Sequence, residues 1–174
     1  MVQDMRQIAE LTRPAVIRTA GEYKLVATES VAANMYLFSL DGELAASPTR
    51  YTVQIAESEH IDLPGECGLE EVLDRFFWRF MNHSCEPNTT IRGRDVISLT
   101  PIEPWQEITF HYATTEYSMA EPFECRCGSQ RCEGLVRGFQ YLSQARREEL
   151  RPLLSNYLLS ILDGETSGQD AQCR

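Results

Sequence analysis

The chain of 174 residues is long enough for one domain with a well-formed core and too short for two enzymatic domains of ordinary size. Its 43% hydrophobic and 24% charged residues exclude a collagen-like, low-complexity or largely disordered chain, and no apolar run reaches the ~20 residues of a membrane span. With 16 basic against 26 acidic side chains, the formal net charge of -10 argues against nucleic-acid or membrane partners and suits a cationic substrate.

Residues 1–13 carry Asp4 and Glu10 and no continuous apolar stretch, so no secretory signal is expected and the location is expected to be cytoplasmic. Residues 15–18, 23–27, 36–40, 50–56 and 60–63 are short apolar or alternating stretches bounded by turn formers, and they read as a series of strands. Leu69, Val72, Leu73, Phe76, Phe77 and Phe80 then recur at helical spacing after Gly68, which predicts one amphipathic helix packed on a sheet by its aromatic stripe. Residues 82–88 break the pattern as a helix stop followed by a turn, because Pro87 disfavours helix at Glu86. Strands resume at 89–92, 96–99 and 108–112, with Gly93, Pro101 and Pro104 at the turns.

The remainder changes character. Residues 143–150 and 152–162 read as helices, with Pro152 suited to a first turn and Leu154, Tyr157, Leu158, Ile161 and Leu162 forming a stripe. The stripe is expected to pack on its own domain, with a homodimer through this helix as the alternative. Residues 164–174 are polar and read as a frayed tail.

Six cysteines lie at 67, 85, 125, 127, 132 and 173. In a reducing compartment their clustering suggests a metal before a disulfide. Cys125-Arg-Cys127-Gly-Ser-Gln-Arg-Cys132 places three thiols in eight residues, and structural zinc wants four ligands in a tetrahedron. The fourth could come from Cys85, Cys67, His83 or His111. Two further segments stand out: Asn82-His83-Ser84-Cys85-Glu86-Pro87-Asn88, whose turn-forming shape leaves its composition unexplained, and Glu107-Ile-Thr-Phe-His-Tyr112, whose alternation puts Phe110 and Tyr112 on one strand face.

Taken in order, NHSCEPN, EITFHY and CxCx4C followed by Glu133-Gly134-Leu135 resemble the SET-domain protein methyltransferases that carry a post-SET zinc segment. The resemblance spans roughly residues 15–136 and implies a mostly β fold with flanking helices: the SET β-clip, in which NHSCEPN and EITFHY are the crossing segments of a pseudoknot. The implied organisation is an N-terminal extension at 1–14, the SET domain at 15–116, the post-SET zinc segment at 117–138, and C-terminal helices with the tail at 139–174.

The resemblance also implies roles. Asn82 and His83 contact S-adenosylmethionine, with Glu22 and Tyr23 in the N-terminal cofactor loop and Leu135 against the adenine. Cys85 joins Cys125, Cys127 and Cys132 as the fourth ligand of Zn2+. Tyr112 is the active-site tyrosine, Tyr51 a second wall of the amine channel, and Phe110 the aromatic whose lack of a hydroxyl permits more than one methyl transfer. A lysine amine, with a reference pKa near ~10.4, must lose its proton before it can attack a methyl group, and a poorly solvated channel favours that loss.

Two departures from the family pattern fall at Glu22 and Lys24, where glycines are usual, and at Trp105-Gln106, which replaces Gly-Glu; an altered turn is expected at the second. The implied activity is methyl transfer to a lysine of a protein substrate, a histone being possible but not indicated. The alternatives are a small amine or natural-product intermediate as substrate, or a catalytically silent zinc-stabilised module docking through the stripe at 154–162.

Overall fold

The computed structural model describes residues 13–171. The N-terminal extension except its last two residues, and Cys173 with the end of the tail, lie outside the described residues. In chain order the strands are β1 (Ala15–Thr19), β2 (Glu22–Val26), β3 (Tyr36–Ser39), β4 (Glu43–Ala45), β5 (Val53–Ala56), β6 (Glu59–Asp62), β7 (Asn82–His83), β8 (Thr89–Arg92), β9 (Asp95–Ser98), β10 (Thr109–Phe110), β11 (Phe123–Glu124) and β12 (Leu135–Val136). The α-helices are α1 (Leu69–Arg75), α2 (Gln144–Leu150) and α3 (Asn156–Ala171), none long and apolar enough to cross a membrane.

Among the described residues the strands form small sheets of two or three: β1-β2, β3-β9-β8, β4-β6-β5, β7-β10 and β11-β12. Of these pairings β7 with β10 is parallel and the others are antiparallel. The β1-β2 hairpin closes through Ala20 and Gly21, both at positive φ (52° and 89°), the backbone demanded by a two-residue turn between right-twisted strands. Glu22 and Lys24 therefore lie within β2, and the path of this segment is a plain hairpin.

The second departure lies in a turn. Trp105 takes φ 67°, the left-handed conformation that glycine adopts freely, while its N–H donates to the Ala27 carbonyl (2.7 Å). The turn before β10 thus carries a left-handed tryptophan that is 66% exposed.

Other expectations are corrected by packing. The single helix of 69–80 splits: α1 buries no side chain, Phe76 ends it, and a 3-10 turn, Phe77–Phe80, follows. The break lets Phe76 and Trp78, two positions apart, both enter the core, and the Trp78 indole N–H reaches the Asp41 carbonyl (2.8 Å). Residues 50–52 form a turn, so β5 starts at Val53. Pro152 belongs to a 3-10 turn, Arg151–Leu153, rather than to the last helix, and α3 runs through Gly164 to Ala171 where a frayed tail was expected.

Two apolar clusters result. The first gathers residues from the small sheets around Leu25, Ile61, Phe76, Val96 and Ile102. The second joins Phe139, Leu150, Leu154, Leu158 and Leu162, so the stripe of the last helix packs within its own chain. The second cluster is fastened to the first by polar bonds: Arg92 donates to the carbonyls of Pro152 and Leu154, Thr90 to that of Leu153 (3.1 Å), and the Ser155 N–H to that of Thr114 (2.8 Å).

Gly138 marks a tight crossing near the site. At φ 109°, a Cβ there would sit 2.8 Å from the Tyr117 carbonyl oxygen, where the Met119 and Phe139 N–H groups bond to Arg137 and Glu116 (both 2.8 Å). Gly138→Ala is expected to cost roughly 1–3 kcal/mol, read by urea denaturation.

Candidate active site and thiol cluster

NHSCEPN and EITFHY lie side by side. Asn82 and His83 pair in parallel with Thr109 and Phe110, and the Ser84 N–H continues the contact to the Phe110 carbonyl (3.1 Å). So short a ladder leaves many backbone groups unmatched, and asparagine side chains supply the missing partners. Asn88 donates to the Glu107 carbonyl (2.8 Å) and accepts from the Thr109 N–H (2.9 Å); Asn82 donates to the Tyr23 carbonyl (3.0 Å) and to the Glu107 carboxylate (2.7 Å). The composition of the motif thus follows from its position against an irregular strand.

His83 joins the two halves of the site. Its Nδ1 accepts the Tyr112 N–H (3.2 Å), which puts the ring proton on Nε2, directed at Cys85 Sγ (3.2 Å). Burial, and then the neighbouring His111, hold its pKa down at about 3, so the imidazole is neutral. Rings of His111, Tyr112 and Phe123 surround it at 4.8, 5.3 and 5.9 Å. Because its backbone N–H turns toward His83, Tyr112 leaves the strand and opens a 3-10 turn, Tyr112–Thr114; the expected strand of 108–112 shortens to Thr109–Phe110, with the Ile108 N–H bonded to the Leu25 carbonyl (2.8 Å).

Cys85, Cys125, Cys127 and Cys132 converge, with their sulfur atoms all within 4.8 Å of one another. The Cys85–Cys125 separation is 3.8 Å, too long for a disulfide and equal to the edge of about 3.8 Å that four sulfurs ~2.3 Å from a central ion would make. Burial opposes ionisation of Cys127, but backbone N–H groups of Cys85 and Ser129 and the adjoining thiols hold it down at about 7. Of the candidates for a fourth position, Cys85 is the one whose sulfur lies with those of Cys125, Cys127 and Cys132; His83, Cys85 and His111 form a second, overlapping group.

Behind the cluster, Glu133 accepts from His111 Nε2 (2.9 Å) and Arg146 Nε (2.8 Å), and Arg146 also donates to the Cys85 carbonyl (3.3 Å). Burial raises the Glu133 carboxyl, but those two partners outweigh it and hold it at about 2. Helix α2 is thereby bound to the thiol site through a half-buried ion pair.

On the other side of His83 is a narrow cavity of about 40 Å³, lined in part by Tyr51, Trp78, Met81, Phe110, Tyr112 and Glu116. The Tyr112 hydroxyl donates to the Met81 carbonyl (2.9 Å); burial first, then Glu116 and Glu107, push its pKa up, so it stays protonated. Phe110 and Tyr112 touch, with ring centroids 4.7 Å apart. Tyr51, 53% exposed on its turn, forms the lip, with Arg79 stacked on it at 4.7 Å.

The catalytic set of Tyr51, Phe110 and Tyr112 therefore shares one cavity. Of the cofactor set, Asn82 and Tyr23 are bonded, His83 adjoins them, and Leu135, 47% exposed, lies on β12 paired with the strand of Phe123. Glu22, exposed at the start of β2 opposite Thr19, makes no hydrogen bond to these residues among those described. Sequence reasoning missed Phe123 and Glu116. Phe123 was signalled only as an aromatic two residues before Cys125, and Glu116 only as an acid in an otherwise uncharged run after Tyr112.

Glu116 is buried, and burial raises its carboxyl to about 7 despite hydrogen bonds from the Gln54 N–H and the Thr115 hydroxyl. A carboxyl raised in the folded state contributes stability that is full below its unfolded value and is lost as pH rises through about 7. Glu116→Gln is expected to match wild type near pH 4.5 and to exceed it by up to about 3 kcal/mol at pH 8, read by denaturation at both pH values.

The chain matches the family model described as "SET domain" over residues 4–113. It is 27% identical over 180 residues to the H3 lysine-36 specific histone-lysine N-methyltransferase of Yarrowia lipolytica, covering 87% of this chain and 22% of that protein. It is 42% identical over 66 residues to the methyltransferase flvH of Aspergillus flavus, covering 35% of this chain and 36% of that one. It thus spans roughly a third or less of the relatives it matches. A crystal structure of KRYPTONITE with mCHH DNA, an H3(1-15) peptide and SAH superposes with TM-score 0.54 and 25% identity over 69% of this chain and 28% of that one. The methyltransferase domain of human SETMAR gives TM-score 0.52 at 18% identity over 71% of this chain and 57% of that one, a likeness of fold. Paired NHSC and EITFHY segments, small antiparallel sheets and the family match lead to one conclusion: the chain belongs to the SET-domain family.

Proposed function

We propose that the chain is an S-adenosylmethionine-dependent N-methyltransferase acting on the lysine amine of a protein, with a zinc ion held by Cys85, Cys125, Cys127 and Cys132. The observation that carries the reading is the shared cavity of Tyr112, Phe110 and Tyr51 set against His83. Relatives named as histone-lysine N-methyltransferases, and a neighbour solved with an H3 peptide and SAH, support it.

The residues fit both groups. Four sulfurs within 4.8 Å of one another, with Cys127 already inclined to ionise, suit a closed zinc site, where the metal would tie residues 125–135 to the core. An uncovered Leu135, the Phe123 ring and the polar Asn82 suit a nucleoside with a charged tail. Bound there, S-adenosylmethionine supplies an electrophilic sulfonium methyl. Tyr112 and Phe110 exclude water from the amine and orient its lone pair, and the Met81 carbonyl fixes the Tyr112 hydroxyl. Phe110 leaves room for an amine that already carries a methyl.

A small-amine substrate is the second reading. It draws on the relative flvH, 42% identical over 66 residues, which is named simply as a methyltransferase.

Incubation with isotopically labelled cofactor and either peptide pools or small amines, followed by mass spectrometry, separates the two. Tyr112→Phe is expected to lower turnover about tenfold or more while cofactor affinity changes less than about threefold. Collapsed affinity with a normal single-turnover rate would assign Tyr112 to binding instead.

A further inference from the structure

We propose that Glu116 is the anionic wall of the amine pocket: its carboxylate holds the incoming primary ammonium and takes one proton from it. The proposal rests on the methyltransferase reading and names a group that reading does not use.

Among the described residues lining the cavity, Glu116 is the sole carboxylate, and it is 7% exposed. Its hydrogen bonds among those residues, from the Gln54 N–H (2.7 Å) and the Thr115 hydroxyl (3.4 Å), both fall on Oε1. Glutamine at this position would accept the same two bonds without a charge to bury, so the packing of β5 does not account for an acid here. The cations at the lip are engaged elsewhere. Arg79 pairs with Asp62 (3.2 Å) and Arg50 with Glu121 (3.7 Å), and both stack on Tyr51. The other titratable groups facing Glu116 are Tyr112 across the cavity and Tyr157 of α3, both raised in pKa and neutral.

Glu116 is also held in place. Its carbonyl accepts the Phe139 N–H (2.8 Å), and the Tyr117 N–H donates to the Gln54 side chain (2.9 Å), so the residue is pinned from both the post-motif segment and β5. A carboxyl raised to about 7 by burial is ionised at the pH of the test and is a stronger base than an ordinary carboxylate, while the same poorly solvated cavity lowers the pKa of an ammonium within it, so a proton can pass from nitrogen to oxygen. The step balances: one N–H bond of the ammonium breaks, one O–H bond forms on Glu116, and a neutral amine with a free lone pair remains beside Tyr112.

The shared chemistry is an alkylammonium, whether a lysine side chain or a free amine. The test titrates the full chain with n-butylamine and with uncharged n-butanol at pH 7.5, followed by NMR, in wild type and Glu116→Gln. The expected result is a loss of tenfold or more in n-butylamine affinity with n-butanol unchanged. Equal loss of both, no loss, or no n-butylamine binding by wild type overturns the proposal. Initial methylation rates on n-butylamine and on an H3 peptide spanning lysine-36 then identify the source of the amine. In pH–rate profiles of the methylation, an acidic limb near pH 7 is expected in wild type and is expected to be absent in Glu116→Gln; its persistence in the variant contradicts the proton transfer. Cofactor titration by calorimetry stands apart: wild type that binds no S-adenosylmethionine defeats the methyltransferase reading, while the n-butylamine arm still reports on Glu116.

Discussion

One imidazole connects everything that gives this molecule a site. His83 receives the Tyr112 backbone N–H on one nitrogen and directs its other toward Cys85 Sγ, so a single buried ring fixes the tyrosine of the cavity and a sulfur of the thiol cluster. Neither bond is strong, at roughly 1 kcal/mol net for an ordinary hydrogen bond, but either left open would strand a buried polar group. Desolvation keeps the ring neutral, and only the neutral ring can accept at Nδ1. The two-residue parallel ladder between Asn82–His83 and Thr109–Phe110 is too short to hold itself, and this ring, with Asn82 and Asn88, completes it.

The thiol cluster extends that constraint outward. Cys85 stands in the β7 segment, while Cys125, Cys127 and Cys132 stand in the segment after Tyr112, so their approach closes the later chain over the earlier one. Glu133, Arg146 and His111 then carry the connection into helix α2. A half-buried ion pair of this kind adds little net stability, because desolvation offsets much of the attraction, yet removing one partner would leave a charge poorly compensated. The C-terminal helices are therefore part of the site's frame, bonded to it by Arg146, Ser155 and Tyr157.

Much of this was legible in the sequence, and the gaps have physical causes. Alternation and turn residues located most strands, since they reflect local backbone geometry. The aromatic run 76–80 misled because helical periodicity is only one way to bury closely spaced rings; a break at Phe76 buries Phe76 and Trp78 together. Tyr112 misled for a related reason: alternation predicts a strand, but a side-chain acceptor took its N–H. The convergence of Cys125, Cys127 and Cys132 was readable because three thiols within eight residues of one loop cannot lie far apart. Glu116 was not, since a lone acid carries no pattern and its burial depends on Gln54, 62 residues away.

The bridging role of His83 is tested most directly by amide hydrogen exchange at Tyr112, compared between wild type and Cys85→Ala, with the β1-β2 hairpin as internal reference. If the imidazole couples the cluster to the cavity, loss of the sulfur frees the ring and protection at Tyr112 is expected to fall by about tenfold or more while the hairpin is unchanged. Unaltered protection at Tyr112 in a folded Cys85→Ala chain would contradict the account.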